Sequence, residues 1–370
     1  MTKDQSTPNL HSKIVILYGG FTCRSGGAYN HSVALSAALN SLGHSSKIFT
    51  LDALPFALKF IPHIVFSTSY LLYPPASFVL KGLAVSILFR IYFFFSGTSF
   101  DAIVFEDLYI AWQSKLPFII IVHALWSDNL ESYPLNVRHA AKLKNYEARL
   151  LSFYSQKCFT VSNEYSCFLS NEHFPALAVN ALPVIPLGLD IKYISSFSNP
   201  QSQLCHPFSM VFTGLFCERK NLFFLLDIYR YLRSVDSRFE LTLIGDGPLL
   251  PSLTSYALQH SLPLTLPGRL SGSQLYSRIA AHAIFLTAST KESFSFSLLE
   301  AKILGLSTYA HSSLEVPSEF IDFPVSSWDV SDWANAVLLS ICSTTPKRVD
   351  FDRYSSKQMA LSTLAAANVI

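Results

Sequence analysis

The sequence predicts an α/β protein built from two parallel-sheet domains in tandem. Three observations carry that prediction. Short apolar runs rich in Val, Ile and Phe alternate with stretches of helical periodicity, the pattern of a parallel sheet covered on both faces. The alternation halts at a Ser-, Asn-, Gln- and Pro-rich stretch, Asp190–Pro207, and then restarts. The length, 370 residues, exceeds what one hydrophobic core usually fills.

The elements follow in order. Lys13–Tyr18 (KIVILY) is a short apolar strand running into Gly19-Gly20 and then Ser25-Gly26-Gly27. Ala28–Leu42 carries Val33, Leu35, Ala38, Leu39 and Leu42 at helical spacing, and Gly43 ends it. Ser46–Leu51, Phe100–Glu106 and Pro117–His123 read as further strands, with Cys158–Ser162 and Pro183–Pro186 after them. The second half opens with the strand Ser209–Thr213, ending at Gly214, and the helix Asn221–Val235. Phe239–Ile244 is a strand, followed by Gly245-Asp246-Gly247-Pro248 and a helix from Leu249. Leu264–Leu266 is a short strand, Gln274–Ala281 a helix, and Ala283–Thr287 and Thr308–Ala310 strands. The expected divisions are 12–195, 205–350 and a helical tail, 351–370.

Bulk composition narrows the function. A net charge of +2 gives no electrostatic case for nucleic acid. The six cysteines form no CxxC pair, so neither a zinc site nor a disulfide framework is expected. Met1–Ser12 is polar and lacks the apolar core of a signal peptide, which predicts a cytoplasmic protein. One region stands apart. Leu54–Ser96 is almost wholly apolar and aromatic, interrupted by Lys59, His63, Pro74-Pro75, Lys81 and Arg90. The proline pair breaks a run otherwise long enough to span a bilayer. The expectation is an interior helix or one lying in a membrane interface, which would place the protein peripherally at a membrane's inner face.

The stretch Lys291–Ala301 carries two carboxylates, Glu292 and Glu300, eight positions apart. Ser and Phe alternate between them, which reads as loop or short strand. A helix is expected to start with Ser297 as N-cap and Glu300 closing a capping box. Leu298, Leu299, Ile303 and Leu304 supply its apolar face, and Gly305 ends it. Glu292 then sits on a loop and Glu300 in a helix's first turn, where phosphate is favoured and a carboxylate can accept from sugar hydroxyls. A plainer reading leaves Glu300 serving only its cap and Glu292 solvated.

Open parallel sheets bind ligands at the carboxyl ends of their strands, and several residues fall there. Gly26-Gly27 opens a helix after the first strand, either as an ordinary turn or as a place where backbone can approach phosphate. His123 ends an apolar strand, as a core histidine or a site residue. Arg219-Lys220 precede a helix, where cations are disfavoured unless an anion is to be neutralised. Gly245-Asp246-Gly247 is half of a dinucleotide fingerprint without its later acidic residue, which argues against NAD. Together these groups suit a diphosphate flanked by a ribose and a sugar.

In that combination and order the chain, over roughly residues 13–355, resembles the retaining GT-B glycosyltransferases of family 4. The resemblance rests on Gly26-Gly27-Ala28, Ser41–His44, Phe100–Val104, His123 and Val184–Asp190 in the first half. In the second it rests on Gly214…Lys220-Asn221, Ile244–Leu249, Gly268-Arg269-Leu270 and Glu292–Gly305, whose acids match the family's EX7E spacing. It implies two Rossmann-like domains facing each other across a cleft. Acceptor binding would fall to the first domain and nucleotide-sugar binding to the second. Lys220, with Arg219, would neutralise the donor's diphosphate, and Glu300 would hold the ribose. Glu292, with Ser293–Phe296, would face sugar and phosphate. Gly26 and Gly27 would close over the diphosphate, and His123 would contact the sugar. Gly214 and Gly245 would line the donor site, with Gly268, Arg269 and Leu270 near the base. No metal or other cofactor is expected, there being no Asp-x-Asp to hold one. The acceptor is expected to be a glycan or a lipid-linked molecule, with membrane contact through 54–96. Three positions depart from the pattern: Leu215 for Arg, Leu187 for Asn and Ser307 for Pro. An epimerase on the same fold and a non-catalytic sugar-binding relative are the rival expectations.

Overall fold

A computed structural model describes residues 11–22, 26–128, 137–175, 181–201, 206–341 and 347–369. The chain divides into two compact units, Met1–Leu189 with Asp352–Ile370, and Asp190–Phe351.

In the first unit the chain runs β1 (Lys13–Leu17), α1 (Gly27–Ser41), β2 (Ser45–Phe49), α2 (Phe56–Lys59), α3 (Ile61–Leu72), α4 (Pro74–Ser96), β3 (Ala102–Phe105), β4 (Phe118–Val122), α5 (Val137–Phe153), β5 (Cys158–Thr160) and α6 (Asn163–Phe168). The strands form one parallel sheet in the order β2-β1-β3-β4-β5. Ile14–Leu17, Ala102–Phe105 and Phe118–Val122 are buried throughout, which is why these strands read as continuous apolar runs. Order reverses between β1 and β3, and there the carboxyl-edge crevice opens. Pro183–Pro186 is no full strand; it makes one isolated bridge, Thr160 with Val184.

In the second unit the chain runs α7 (Ile191–Ser195), β6 (Ser209–Leu215), α8 (Leu222–Val235), β7 (Glu240–Asp246), α9 (Leu250–Gln259), β8 (Leu264–Gly268), α10 (Gly272–Ala280), β9 (Ile284–Leu286), α11 (Phe296–Ile303), β10 (Ser307–His311), β11 (Phe323–Val325) and α12 (Val330–Ser340). The sheet is again parallel, in the order β11-β10-β9-β6-β7-β8, so the reversal lies between β6 and β9. α8 closes one face with Leu222, Leu225, Leu226, Ile228, Tyr229 and Leu232, all buried at the expected helical spacing.

The segment expected as a separate tail belongs, from Asp352 on, to the first unit. Its helix α13 (Ser356–Ala366) contacts α1. The chain is pinned there because Leu189 N–H donates to Tyr354 O at 2.9 Å and Ser356 N–H to Leu189 O at 2.8 Å. Gly188 is required at this crossing: a Cβ would lie 2.5 Å from Ser355 O.

Candidate functional site

Of the residues singled out in the second unit, Arg219, Lys220 and Glu292 meet at the carboxyl edge of its sheet, beside the β6/β9 reversal. β6 ends at Gly214-Leu215, and a short 3-10 turn, Glu218–Lys220, carries the two cations. β9 leads into the loop bearing Glu292, and Thr290 N–H donates to Arg219 O at 2.9 Å, tying the loops together. Lys220 Nζ bonds Glu292 Oε1. Arg219 donates to Lys291 O at 2.6 Å and stands 3.2 Å from Glu292 Oε2. Only 10% of the Lys220 side chain and 11% of that of Glu292 are exposed, against 32% for Arg219. Burial pushes the Glu292 carboxyl up, but Lys220 and Arg219 outweigh it and hold the pKa below its ordinary value. Two cations against one carboxylate leave a local excess of one positive charge.

Glu300 is placed differently. Helix α11 starts two residues earlier than the capping-box reading predicts. Its N-cap is Ser295, whose side chain accepts from Leu298 N–H, so Glu300 lies beyond the first turn. The cause is Phe294, which is 2% exposed and packs at 5.6 Å from Phe296 and 5.4 Å from Phe320. Seating that ring in the core forces the chain to turn at once, and Ser295 adopts a left-handed φ of 67°. Phe294 therefore offers only backbone to a ligand. Glu300 hydrogen-bonds Tyr276, and with no cation to balance it burial pushes its pKa up to about 7. Tyr276 is held among Tyr193 and Phe197, centroids 6.0 and 5.9 Å away.

The glycines divide by purpose. A Cβ at Gly245 would lie 1.9 Å from Gly214 O, and one at Gly247 would lie 2.5 Å from Phe216 O. Gly245 and Gly247 thus let the ends of β6 and β7 touch, and Phe216 N–H donates to Asp246 O at 2.9 Å across that contact. The packing of strand ends explains them without a ligand. Gly268, with φ 78°, ends edge strand β8, and exposed Arg269 and half-buried Leu270 follow it. Gly26 and Gly27 are exposed at the start of α1, where a Cβ would meet nothing within 4 Å. No packing demands glycine there.

In the first unit His123 does not stand alone. Its Nε2 lies 2.6 Å from Glu106 Oε2, and His31 Nδ1 lies 2.8 Å from the same oxygen. Glu106 follows β3, His123 follows β4 and His31 lies on α1, so the group sits beside the β1/β3 reversal. Burial raises the Glu106 carboxyl, yet His31 and His123 overcome it and bring its pKa to about 2. An ionised carboxylate only accepts, so both imidazoles donate to it. Burial, only partly offset by Glu106, lowers the pKa of His123, leaving the ring neutral with Nδ1 as its free acceptor. These three side chains place their ligand atoms within 4.8 Å of one another, but both nitrogens aim at one carboxylate oxygen rather than at a shared central point. Glu106 and His31 were not singled out from sequence. The signal was an acid closing an apolar strand, in Phe100–Glu106.

Comparison with known proteins bears on the fold. Residues 207–340 match the family model described as glycosyl transferases group 1, a stretch confined to the second unit. No curated protein sequence matches the chain. Among solved structures, the chain is similar to sucrose-phosphate synthase from Thermosynechococcus elongatus, with TM-score 0.67, 15% identity and 96% of each chain covered. It is similar to WaaG, a glycosyltransferase involved in lipopolysaccharide biosynthesis, with TM-score 0.62, 12% identity, and 97% and 99% covered. It is also similar to HepE from Anabaena in complex with UDP and glucose, with TM-score 0.58, 14% identity and 97% of each covered. The chain has the GT-B fold. Over residues 207–340, within its second unit, it is similar to the glycosyl transferases of group 1.

Proposed function

We propose that the chain is a retaining glycosyltransferase of family 4. It would move a sugar from a nucleoside-diphosphate donor to a glycan or lipid-linked acceptor, in cell-surface polysaccharide or glycolipid synthesis. The observation that carries this reading is the Arg219–Lys220–Glu292 cluster at the switch point of the second unit. Lys220 and Arg219 take the diphosphate, whose negative charge grows as the sugar leaves; fixed cations there lower the barrier. Glu292, held ionised, keeps the ammonium in place and accepts from donor sugar hydroxyls. Glu300 takes the ribose hydroxyls, whose hydrogen bonds favour its charged form. These two cations supply the charge that a divalent ion supplies elsewhere, so no metal is called for. In the first unit His123, oriented by Glu106, accepts from a sugar hydroxyl through Nδ1, and open Gly26-Gly27 allow backbone to approach phosphate. The EX7E pair is Glu292 and Glu300. The protein works in the cytoplasm, peripherally at a membrane.

Support for a nucleotide donor comes from neighbours solved with UDP and a sugar, among them a pneumococcal O-GlcNAc transferase with UDP and GlcNAc. The test is a thermal-shift and hydrolysis screen against UDP-, GDP-, ADP- and dTDP-sugars. A stabilising donor that slowly releases its diphosphate is expected. Conversion of the donor without any acceptor would indicate an epimerase. Leu215, 58% exposed at the end of β6 where the family has Arg, favours a second reading, a non-catalytic relative. Silence across the panel from folded protein would select it.

A further inference from the structure

Between Asp52 and Asp101 the sequence has no carboxylate, only the cations Lys59, Lys81 and Arg90 in an otherwise apolar stretch. The structure gives that stretch a shape. α4 spans about 34 Å and turns one face inward, burying Phe78, Val85, Leu88 and Phe89. Gly82 fits so closely that a Cβ would lie 2.6 Å from Tyr109 O. The opposite face should be polar on a helix whose outer side meets only water. Instead Leu80, Leu83, Ile87, Ile91 and Phe94 are all exposed, at spacings of three and four residues along the whole helix. Phe94 and Phe95 are 82% and 80% exposed, and at the α3–α4 corner Leu71 and Leu72 are 85% and 87% exposed. α4 is long and apolar enough to cross a membrane, with mean hydropathy 1.9. Its inner face is bound into the core, however, so only one side is left for lipid.

Arg90 interrupts this stripe. It edges a surface pocket of about 430 Å³ walled by Phe93, Phe100, Trp112 and Leu116, with Thr98 at its rim. Arg90 is the one charged residue lining it, and it makes no hydrogen bond or ion pair with any described residue. An unpaired guanidinium beside an aromatic pocket, in line with an exposed apolar stripe, matches an anionic amphiphile: phosphate on the Arg, hydrocarbon along the helix.

We infer that α4 is a lipid-docking face, and that Arg90 and its pocket bind the phosphate headgroup of an anionic membrane lipid. The inference rests on, and deepens, the reading of a membrane-adjacent transferase. A second copy of the chain fits worse. A two-fold contact would set this patch against itself, and the patch holds no carboxylate to answer its own cations. The arrangement also has a consequence for acceptors. α4 runs from Phe93, packed on Phe100 near the amino edge of β3, to Phe78, packed on Trp126 just past His123. A bilayer lying along α4 therefore reaches the carboxyl edge of the first unit.

The test is co-sedimentation of the whole chain with phosphatidylcholine vesicles, with and without phosphatidylglycerol. Binding to the anionic vesicles is expected. Arg90→Gln should weaken it about fivefold, and Leu83→Gln with Ile87→Gln about tenfold or more. All three side chains face outward, so circular dichroism should be unchanged. Equal binding to both vesicle types, unaltered by Arg90→Gln, would overturn the headgroup assignment. So would release of the protein from vesicles by inorganic phosphate, which would make the pocket a free-phosphate site. A dimer in solution that the Leu83/Ile87 double variant dissociates, without vesicle binding, would assign the face to a second copy. Donor-induced thermal shift is read on the same samples. A donor shift without vesicle binding defeats this inference alone; vesicle binding without a donor shift supports it and defeats only the transferase reading.

Discussion

At the scale of single residues, the two carboxylates of the second unit have opposite surroundings, and this separates their predicted behaviour. Glu292 is ionised because Lys220 and Arg219 flank it. Lys220→Ala should cut turnover by about a hundredfold or more if, as proposed, Lys220 neutralises the leaving diphosphate. Steady-state kinetics checks this, and Arg219→Ala should cost less, because Arg219 is three times as exposed. Glu300 has no cation, and its pKa of about 7 lies above the ordinary 4.5. A raised carboxyl contributes stability that is full below pH 4.5 and is lost as pH rises through about 7. Ribose hydroxyls would pull the proton off. Donor affinity should therefore weaken by up to about tenfold per pH unit as pH falls below 7, with proton release on binding. Calorimetry in two buffers of different ionisation enthalpy reads this out, and Glu300→Gln should flatten the profile. Glu106 behaves in the opposite sense: its carboxyl, lowered to about 2, contributes stability above pH 4.5 that is lost as pH falls toward 2.

At the scale of elements, glycines that look alike in sequence do different work. Gly245→Ala would drive a Cβ into Gly214 O and should destabilise the second unit by about 3 kcal/mol. Gly26→Ala meets no atom, and φ there is −126°, open to any residue. It should change stability by less than about 1 kcal/mol, yet lower turnover if phosphate approaches that backbone. Denaturant melts and kinetics on the two variants separate the cases. Equal stability losses would return Gly26 to an ordinary turn. The start of α11 follows the same logic. Burying Phe294 fixed the cap at Ser295, and a Ser295→Gly change should relieve the left-handed backbone at the loss of one capping bond.

At the scale of the whole molecule, two compact units with separate cores carry separate parts of the proposed chemistry. Arg219, Lys220, Glu292 and Glu300 lie in Asp190–Phe351, so on the proposed reading a donor should protect that unit first. Hydrogen exchange with saturating donor should slow opening of β6, β9 and α11 by a margin equivalent to about 2.7 kcal/mol at a hundredfold excess over Kd. Uniform protection of both units, or none, would count against that division. Leu215→Arg tests whether this chain's departure from the family pattern weakens it. If the exposed leucine only removes a phosphate contact, the variant should gain turnover.

Sequence alone determined the two parallel sheets, because strands buried on both faces leave long apolar runs and their carboxyl ends are marked by Gly, His and charged residues. Lys220 and Glu292 stood out in the sequence because each lies in a loop that follows a strand, and Glu300 because it falls eight positions further on, in a helix. The tertiary structure decided what depends on neighbours distant in the chain. Glu106 and His31 became a pair with His123 only once β3, β4 and α1 were adjacent. The cap moved from Ser297 to Ser295 because Phe320, remote in sequence, offers Phe294 its place in the core. The last helix joined the first unit because Gly188 lets Ser355 close on it. Composition marked Leu54–Ser96 as apolar, but periodicity could not tell an inner face from an outer one when both are hydrophobic. Packing against Tyr109, Phe49 and Trp126 made that choice, and left the outer stripe with Arg90 at its edge.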